Sequence, residues 1–401
     1  MADCTAEPGY RKRGDFYLQG IEMYAKAEYN TANMPKEGMQ MNVPAITLRG
    51  SAFEKGLLHG SQCRAQVMRS LETYRHRYQV QRGLSWEDAT KLAKRFEPVL
   101  QGEYLRYAEE MHGIAEGAGL AFEDILALNL RSEILYSGIK DMHFEPDECT
   151  AFCALSPATE GGHVLAGQTW DYTMAQREAS FIARIPAEDG RPPILLFLEG
   201  GMVGGKGVSG AGICLTINAL SSKAAAIGLP LHVRMRSALE KKDFSDTIRE
   251  CLKTPVPVPA NLLLACKDGL SFSIELDPEG TEVLEPENGI LVHTNHYKGI
   301  KQMLTHSSAA SGSTYIRNQR MTYLLHSKQA LSMKDLEGFV RDHAGYPTSI
   351  CAHPASDTPK EELAWAGATN YAFIADLTAE RIRFVMGNPC EGEFEDLKLE
   401  G

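Results

Sequence analysis

The amino-acid sequence predicts an α+β protein, in which two mostly antiparallel β-sheets pack together between layers of helices as an αββα sandwich. Three observations favour this fold class. Residues 43–148 have mainly helical spacing of apolar residues, whereas short apolar runs separated by turn residues dominate from Cys149 onwards. These runs follow one another as hairpins, which produce antiparallel sheets. Helical pairs near 231–252 and 313–342 interrupt the hairpins, without the regular alternation of strand and helix that a doubly wound parallel sheet requires.

The first part of the chain supplies most of the predicted helices. Residues 1–42 are mixed polar and charged, and we expect an extension with weak structure there. Val43–Leu48 is a candidate strand, and a long helical stretch starts at Phe53. The segment Ser85–Asp88 resembles a capping box, which marks a helix start, and helical spacing continues from it to about Leu135.

The remaining elements are mainly strands. We predict them at Cys149–Leu155, His163–Thr169, Ser180–Ile185, Ile194–Leu198, Gly212–Asn218, Leu262–Cys266, Ser271–Leu276, Thr281–Glu285, Ile290–His293, Asn370–Leu377 and Arg381–Met386. Glycines cluster at 200–210, but the Gly-Lys-Ser/Thr signature of a phosphate-binding loop is missing, so we expect a hairpin loop that could gate substrate entry. The predicted organisation is an extension (1–42), a helical segment (43–148) and a strand-rich segment (149–401), the last two forming one domain.

Composition limits the classes of function. The chain has 401 residues, of which 43% are hydrophobic and 23% charged, as is usual for a globular enzyme. A net charge of −11 without a basic stripe argues against nucleic acid as the main partner. We find neither a signal peptide nor an apolar stretch long enough to span a bilayer, and we therefore expect a cytoplasmic protein without membrane partners.

The nine cysteines indicate reduced thiols and predict no metal site. Their number is odd and most lie in apolar contexts, which favours a reducing compartment. No pair of CxxC units is present, and on one strand Cys149 and Cys153 would lie roughly 13 Å apart, too far to bind one ion. His293 and His296 would diverge on an extended segment.

Cys149 is the strongest candidate for a functional residue. It begins a predicted strand directly after Glu148, and the hairpin partner of that strand ends at Asp171. This arrangement suits an enzyme that cuts its own chain and uses the freed N-terminal cysteine as nucleophile. The new α-amino group, with an unperturbed pKa of about 7.7–8.0, would act as the base, and Asp171 could accept a hydrogen bond from it.

Three further polar side chains could complete this site. Asn218 ends a predicted strand and Asn295 follows another, where an amide can donate to a developing oxyanion, a contribution worth roughly 2.7–4 kcal/mol. Arg317 lies on a predicted helix, and if its guanidinium points inward it would neutralise Asp171 and keep the pKa of the amine low. Each has an ordinary alternative: a turn-stabilising asparagine, a solvated arginine or, for Cys149, a buried structural thiol.

Several segments together resemble a known family. They are Phe53–Gly56, His59-Gly60, Met111–Gly119, Asp147–Thr150, Gly167–Asp171, the strand ending at Asn218, Thr294–Tyr297, Thr314–Arg317, Ser349–Pro354 and Gly387–Cys390. From about residue 44 to 395, the chain resembles the acyl-coenzyme A:6-aminopenicillanic acid acyltransferase family of autoproteolytic N-terminal-nucleophile hydrolases.

The resemblance implies a four-layer αββα fold and cleavage between Glu148 and Cys149, which would produce an α and a β chain from one precursor. It also implies Asp171, Asn295 and Arg317 as active-site companions, and Asn218 matches a second asparagine of the wider superfamily that includes bile-salt hydrolases. The best-known members have glycine where this chain has Glu148, and glycine eases the strained peptide of an N-to-S acyl shift. Residues 1–42 match nothing in the family.

The predicted activity is hydrolysis or transfer of the acyl group of small N-acyl amides, or of acyl thioesters. Cys149 would attack the acyl carbon, Asn295 would stabilise the oxyanion, and the α-amino group would carry the proton. We expect no cofactor, although a coenzyme A thioester could serve as co-substrate. The substrate and the oligomeric state, including a homo-oligomer, stay open.

Two alternatives compete with this interpretation. The first is a papain-like hydrolase that uses Cys149 with His293 or His296 and Asn295, without chain cleavage. The second is a non-catalytic binding protein that has kept the fold.

Overall fold

The computed structural model describes residues 43–138, 148–299 and 311–399, so the prediction for residues 1–42 lies outside the described residues. Its helices are α1 (Ala52–Gln62), α2 (Arg64–Arg82), α3 (Trp86–Lys94), α4 (Leu105–Ala118), α5 (Phe122–Asn129), α6 (Arg131–Tyr136), α7 (Leu231–Leu239), α8 (Phe244–Cys251), α9 (Gly312–His326) and α10 (Met333–Phe339). The helical stretch expected from Phe53 and the helical spacing expected from Ser85–Asp88 to about Leu135 correspond to helices α1 to α6.

The strands are β1 (Ala45–Thr47), β2 (Cys149–Ala154), β3 (Leu165–Thr173), β4 (Ser180–Ile185), β5 (Ile194–Glu199), β6 (Lys206–Ser209), β7 (Ile213–Ala219), β8 (Ala260–Cys266), β9 (Leu270–Asp277), β10 (Gly280–Leu284), β11 (Ile290–His293), β12 (Gly367–Asp376), β13 (Arg381–Met386) and β14 (Glu395–Leu397). The glycine-rich segment 200–210, expected to be a loop, contains strand β6.

These strands form two sheets. Sheet A has the order β1-β4-β5-β6-β7-β8-β9-β10, and sheet B has the order β11-β2-β3-β12-β13-β14. Strand β1 is parallel to β4, and the other pairs of neighbours are antiparallel. The α+β class with two mostly antiparallel sheets is confirmed.

The two sheets pack face to face, with helices outside both. Strand β2 of sheet B contacts β7 and β8 of sheet A, while α2 and α7 contact sheet A and α9 and α10 contact sheet B. Because successive side chains of a strand point to opposite faces, Cys149 and Cys153 lie in the core between the sheets, whereas Phe152 packs towards the helices in a second core with Met321 and Leu325. These are the four layers of the predicted sandwich.

Helices α1 and α4 approach each other very closely, which explains two glycine-rich segments of the sequence. A Cβ atom at Gly56 would lie 2.0 Å from the carbonyl oxygen of Glu110, and one at Gly113 would lie 2.1 Å from that of Phe53. Only glycine permits such an approach of two backbones. The start of α1 is fixed by a capping box, in which Glu54 Oε2 accepts from the backbone N–H of Ser51 at 2.8 Å.

None of the helices in the described ranges is both long and apolar enough to cross a membrane.

Candidate active site

Cys149 lies at the first position of β2, an interior strand of sheet B. It pairs with Trp170 on β3, and the pairing continues one residue further back, because the carbonyl oxygen of Glu148 accepts from the backbone N–H of Asp171 at 3.1 Å. The side chain of Cys149 is completely buried and faces sheet A. The peptide bond between Glu148 and Cys149 is thus held in the sheet ladder, and the thiol points into the space between the sheets.

Three of the predicted side chains converge on the backbone of Cys149. Its N–H donates to Asn295 Oδ1 at 2.8 Å. Its carbonyl oxygen accepts from Arg317 Nη1 at 2.7 Å and from Asn218 Nδ2 at 3.2 Å. Arg317 also joins two of these groups, since its Nη2 donates to Asn295 Oδ1 at 3.1 Å. The polar groups therefore hold the nitrogen and oxygen atoms of one residue.

Asn295 is held by hydrogen bonds from both its backbone and its side chain. Its backbone N–H donates to Thr314 Oγ1 at 2.7 Å, which ties it to the first turn of α9. Its Nδ2 donates to the carbonyl oxygen of Ala219 at 3.1 Å, at the end of β7. The amide hydrogens expected to stabilise an oxyanion are thus engaged with the backbone, while the oxygen holds Cys149.

Asn218 links the two sheets at the nucleophile. From the end of β7 in sheet A, its Nδ2 also donates to the carbonyl oxygen of His293 on β11 of sheet B, at 3.2 Å. Its Oδ1 accepts from Asn261 Nδ2 at 3.0 Å, and Asn261 Oδ1 accepts from Ser273 Oγ at 2.6 Å. This row of buried amides and a hydroxyl on β7, β8 and β9 is hydrogen-bonded throughout, which makes it rigid.

Arg317 is completely buried on the inner side of α9. The guanidinium therefore points inward, as the functional interpretation of the sequence required. Besides its bonds at Cys149, Nη1 lies 3.2 Å from Thr150 Oγ1, and Nε lies 3.8 Å from Glu148 Oε2. The carboxylate of Glu148 also accepts from the hydroxyl groups of Ser311 and Ser313.

Asp171 is buried beside the site but does not bind the nitrogen of Cys149. Its Oδ1 accepts from Thr369 Oγ1 at 2.6 Å, and its Oδ2 has no hydrogen-bond partner among the described residues. Burial raises the pKa of Asp171 to about 8, against the opposing effects of the Arg317 charge and the Thr369 hydroxyl. The backbone N–H of Cys149 donates to Asn295 instead. The bond expected between Asp171 and a free α-amino group stays a prediction.

Lys206 is a charged neighbour of the thiol that the sequence did not reveal. It lies on β6, and its Nζ is 3.1 Å from the ring centre of Trp170 and 5.1 Å from that of Tyr371. Burial lowers the pKa of Lys206 to about 7. Burial raises the pKa of the Cys149 thiol above its usual range, Asp171 adds to this rise, and the charges of Lys206 and Arg317 oppose it. No motif marked Lys206, because it lies among the glycines interpreted as a loop.

The two histidines of the papain-like alternative are engaged elsewhere. Nε2 of His293 lies 2.7 Å from Glu275 Oε1, and Nδ1 lies 2.7 Å from the carbonyl oxygen of Thr294. Nδ1 of His296 lies 2.9 Å from Thr314 Oγ1, and burial lowers the pKa of His296 to about 4. Neither ring forms a described hydrogen bond to the Cys149 thiol, so the geometry does not favour this alternative.

The family profile of acyl-coenzyme A:6-aminopenicillanic acid acyl-transferase matches residues 158–390, which is more than half of the 401-residue chain. The chain belongs to this acyltransferase family. A curated relative from Emericella nidulans, the 40 kDa form of acyl-coenzyme A:6-aminopenicillanic-acid-acyltransferase, is 25% identical over 354 residues, which is 86% of this chain and 92% of the relative. As a member of this family, the protein is an enzyme of amide-bond hydrolysis or acyl transfer.

Among solved structures, the chain is similar to an N-acylethanolamine-hydrolyzing acid amidase orthologue of Caenorhabditis elegans, with a TM-score of 0.41, 15% identity, and coverage of 57% of this chain and 93% of that one. It is also similar to penicillin V acylase from Agrobacterium tumefaciens, with a TM-score of 0.41, 12% identity, and coverage of 63% of this chain and 88% of that one.

Proposed function

We propose that this family member is a cysteine enzyme made as a precursor, cleaved between Glu148 and Cys149, and active on small N-acyl amides through a thioester on Cys149. The observation that carries the proposal is the convergence of Asn295, Arg317 and Asn218 on the backbone nitrogen and oxygen of Cys149. A site that used only the thiol would not need to orient these backbone atoms. A site that turns the backbone nitrogen into its base would.

The same contacts would orient the free amine after cleavage. Asn295 Oδ1 would accept one amine hydrogen. The nitrogen would lie close to the thiol because both belong to Cys149. The nearby charge of Arg317 disfavours the ammonium form and would lower the amine pKa from its ordinary value of about 7.7–8.0. An amine that is neutral near pH 7 can accept the thiol proton.

Cleavage would be the first reaction of this site. Cys149 Sγ attacks the carbonyl carbon of Glu148, and the carbonyl oxygen, which already accepts from the Asp171 N–H, gains negative charge. The C–N bond then breaks, and the nitrogen leaves as an amine with the thiol proton. Water hydrolyses the resulting thioester, which releases the Glu148 carboxylate and restores the thiol.

Turnover would repeat these steps on a bound substrate. The thiol proton passes to the α-amino group, the thiolate attacks the acyl carbon, and the leaving amine takes the proton back. Water then yields the acid, or an acceptor amine yields a new amide. The Glu148 carbonyl would be the first that Cys149 attacks, and its oxygen accepts from the backbone N–H of Asp171. The same N–H would therefore donate to the oxyanion of a substrate. Asn295 as oxyanion donor and coenzyme A thioesters as acyl donors stay predictions.

Intact-mass measurement tests the proposal. We expect the purified protein to consist of two chains whose masses sum to that of the precursor plus one water, the second chain starting at Cys149. Cys149→Ala should remain one chain without amidase or acyltransferase activity on a panel of acyl amides and thioesters. Cys153→Ala, a matched control on the same strand and face, should be cleaved normally. A fully active preparation of unbroken chains would reject the proposal.

A further inference from the structure

Four potential metal ligands meet in a part of the molecule that the proposed reaction does not use. His343 follows α10, Cys351 and His353 lie in the segment before β12, and Cys390 follows β13. Their ligand atoms all lie within 4.8 Å of one another. We propose that these four side chains bind one zinc ion.

Four of the six distances between the ligand atoms are close to the edges of a tetrahedron around one ion, and all six lie within 4.8 Å. Zinc binds sulfur at about 2.3 Å and nitrogen at about 2.0–2.1 Å, which sets edges of about 3.8 Å between two sulfurs, about 3.6 Å between sulfur and nitrogen and about 3.4 Å between two nitrogens. Cys351 Sγ lies 3.5 Å from Cys390 Sγ, and His353 Nε2 lies 3.6 Å and 3.3 Å from these two sulfurs. His343 Nε2 lies 3.1 Å from His353 Nε2.

Hydrogen bonding alone accounts poorly for this cluster. Nε2 of His353 faces another imidazole nitrogen and two sulfurs, although a ring nitrogen carries either one proton or one lone pair. A cation at the centre satisfies all four ligand atoms at once. Two sulfurs and two nitrogens in tetrahedral arrangement are a donor set that suits zinc.

Hydrogen bonds that do not involve the four ligand side chains bring the three segments together. The N–H of Cys351 donates to the carbonyl oxygen of Asp342 at 3.0 Å, next to His343. Asn388 Nδ2 donates to the carbonyl oxygen of Ala352 at 2.6 Å, which places the segment of Cys390 beside the other two. The site is therefore preorganised by the fold.

Outer groups also match a metal centre. Glu391 Oε1 lies 3.7 Å from Nδ1 of His353, the ring nitrogen that would not bind the ion. Asn388 Nδ2 lies 3.9 Å from Cys351 Sγ and can donate to a thiolate. Carboxylates behind a histidine ligand and donors to a thiolate are typical outer partners of zinc ligands.

The ion would also support the candidate active site from a distance. The N–H of Ala352, between two ligands, donates to Thr369 Oγ1 at 2.8 Å, and Thr369 in turn donates to Asp171. The zinc would hold the segment that positions Thr369. The sequence did not predict this metal site, because the four ligands come from three separate segments without CxxC spacing.

Metal analysis of the purified full chain tests the site. We expect about one zinc per chain, and cobalt in its place should give thiolate charge-transfer absorption together with tetrahedral d–d bands. Cys351→Ser and Cys390→Ser should each lower the affinity by more than the roughly 10–100-fold typical of losing an outer partner. Cys266→Ser, at a cysteine outside the cluster, should bind metal like the wild type.

His343→Ala provides a second test, because His343 is exposed and its loss should not disturb folding. It should weaken zinc binding while the far-UV circular dichroism stays unchanged. The proposal is overturned if the wild type, offered stoichiometric Zn²⁺ or Co²⁺, binds no more than the Cys351→Ser/Cys390→Ser double variant. A Cys351–Cys390 disulfide in the native protein would overturn it as well.

Discussion

The two polar clusters of this molecule differ in how their protons and lone pairs are matched. Around the backbone of Cys149, N–H donors face oxygen acceptors, and Asn295, Arg317 and Asn218 each form hydrogen bonds with more than one group. We call these residues the matched cluster. In the cluster around Cys351, four atoms that can bind a cation face one another. The first cluster is complete with the atoms of the chain alone, whereas the second would be completed by the proposed zinc ion.

The largest effect should come from breaking the matched cluster at Arg317. Arg317→Met removes charge-assisted hydrogen bonds to Cys149 and Asn295, worth about 1.5–3 kcal/mol each, so we expect chain cleavage to slow by about 100-fold or more. Intact-mass time courses after synthesis measure this rate. Arg320→Met, which removes an ion pair with Asp342 one turn along the same helix, serves as the control. Normal cleavage in Arg317→Met would show that the matched contacts are not needed for maturation.

The next effect should come from removing the proposed zinc ion from the second cluster. If zinc binds at 100 times its dissociation constant, it stabilises the folded state by about 2.7 kcal/mol. Chelation should therefore lower the unfolding midpoint of the wild type, and it should leave the Cys351→Ser/Cys390→Ser variant unchanged. Thermal melts with and without chelator compare the two. An equal shift in both proteins would assign the effect to the chelator itself.

Asp171 stands between the clusters and should make the stability of the precursor depend on pH. Its pKa is about 8 in the fold and about 3.9 in an unfolded chain. The folded state therefore holds the proton more tightly, and this stabilisation is complete below about pH 4 and is lost as the pH rises towards 8. We expect a loss of about 1.4 kcal/mol for each pH unit in the middle of this range.

Urea titrations at several pH values test this, with Cys149→Ala as background so that the chain stays whole. Adding Asp171→Asn, which keeps the shape and the acceptor for Thr369, should flatten the profile. A slope that survives Asp171→Asn would have to come from other groups.

The smallest effect should come from Lys206, whose interaction with the Cys149 thiol is electrostatic. Lys206→Met removes a cation that favours the thiolate, and we expect cleavage to slow by about 10-fold, or about 1.4 kcal/mol. Since the pKa of Lys206 is about 7, the charge is present below this pH and lost above it. The variant should therefore differ from the wild type mainly below pH 7. An equal effect at all pH values would point to packing against Trp170 instead.

The sequence was sufficient for the fold class because hairpin order and the change from helical to strand pattern at Cys149 are local signals. The strands Ser180–Ile185, Ile290–His293 and Arg381–Met386 were predicted with the bounds that the structure shows. The segment 200–210 was misinterpreted, because a short strand such as β6 with a glycine at its second position lacks the usual strand pattern.

Site residues were recognisable from the sequence only where a strand end or a family motif marked them. The direction of Arg317 was not, because its neighbours Tyr315 and Ile316 are apolar yet exposed, so the helix carries no clear polar face. Cys351, His353 and Cys390 also lie in family segments, but their grouping, like the approach of Lys206 to the thiol, depends on contacts between segments far apart in the chain. Such contacts follow from tertiary packing, which spacing along the chain does not contain.

The position of Cys149 within its sheet has a consequence for the two pieces that scission would create. Strand β2 stays paired on both sides as far as Ala154, and the upstream piece keeps β1 alongside β4 and several helices on the same body. The cleaved protein should consequently elute as a single species in gel filtration. Its two chains should separate only when denaturant unfolds the core that they share.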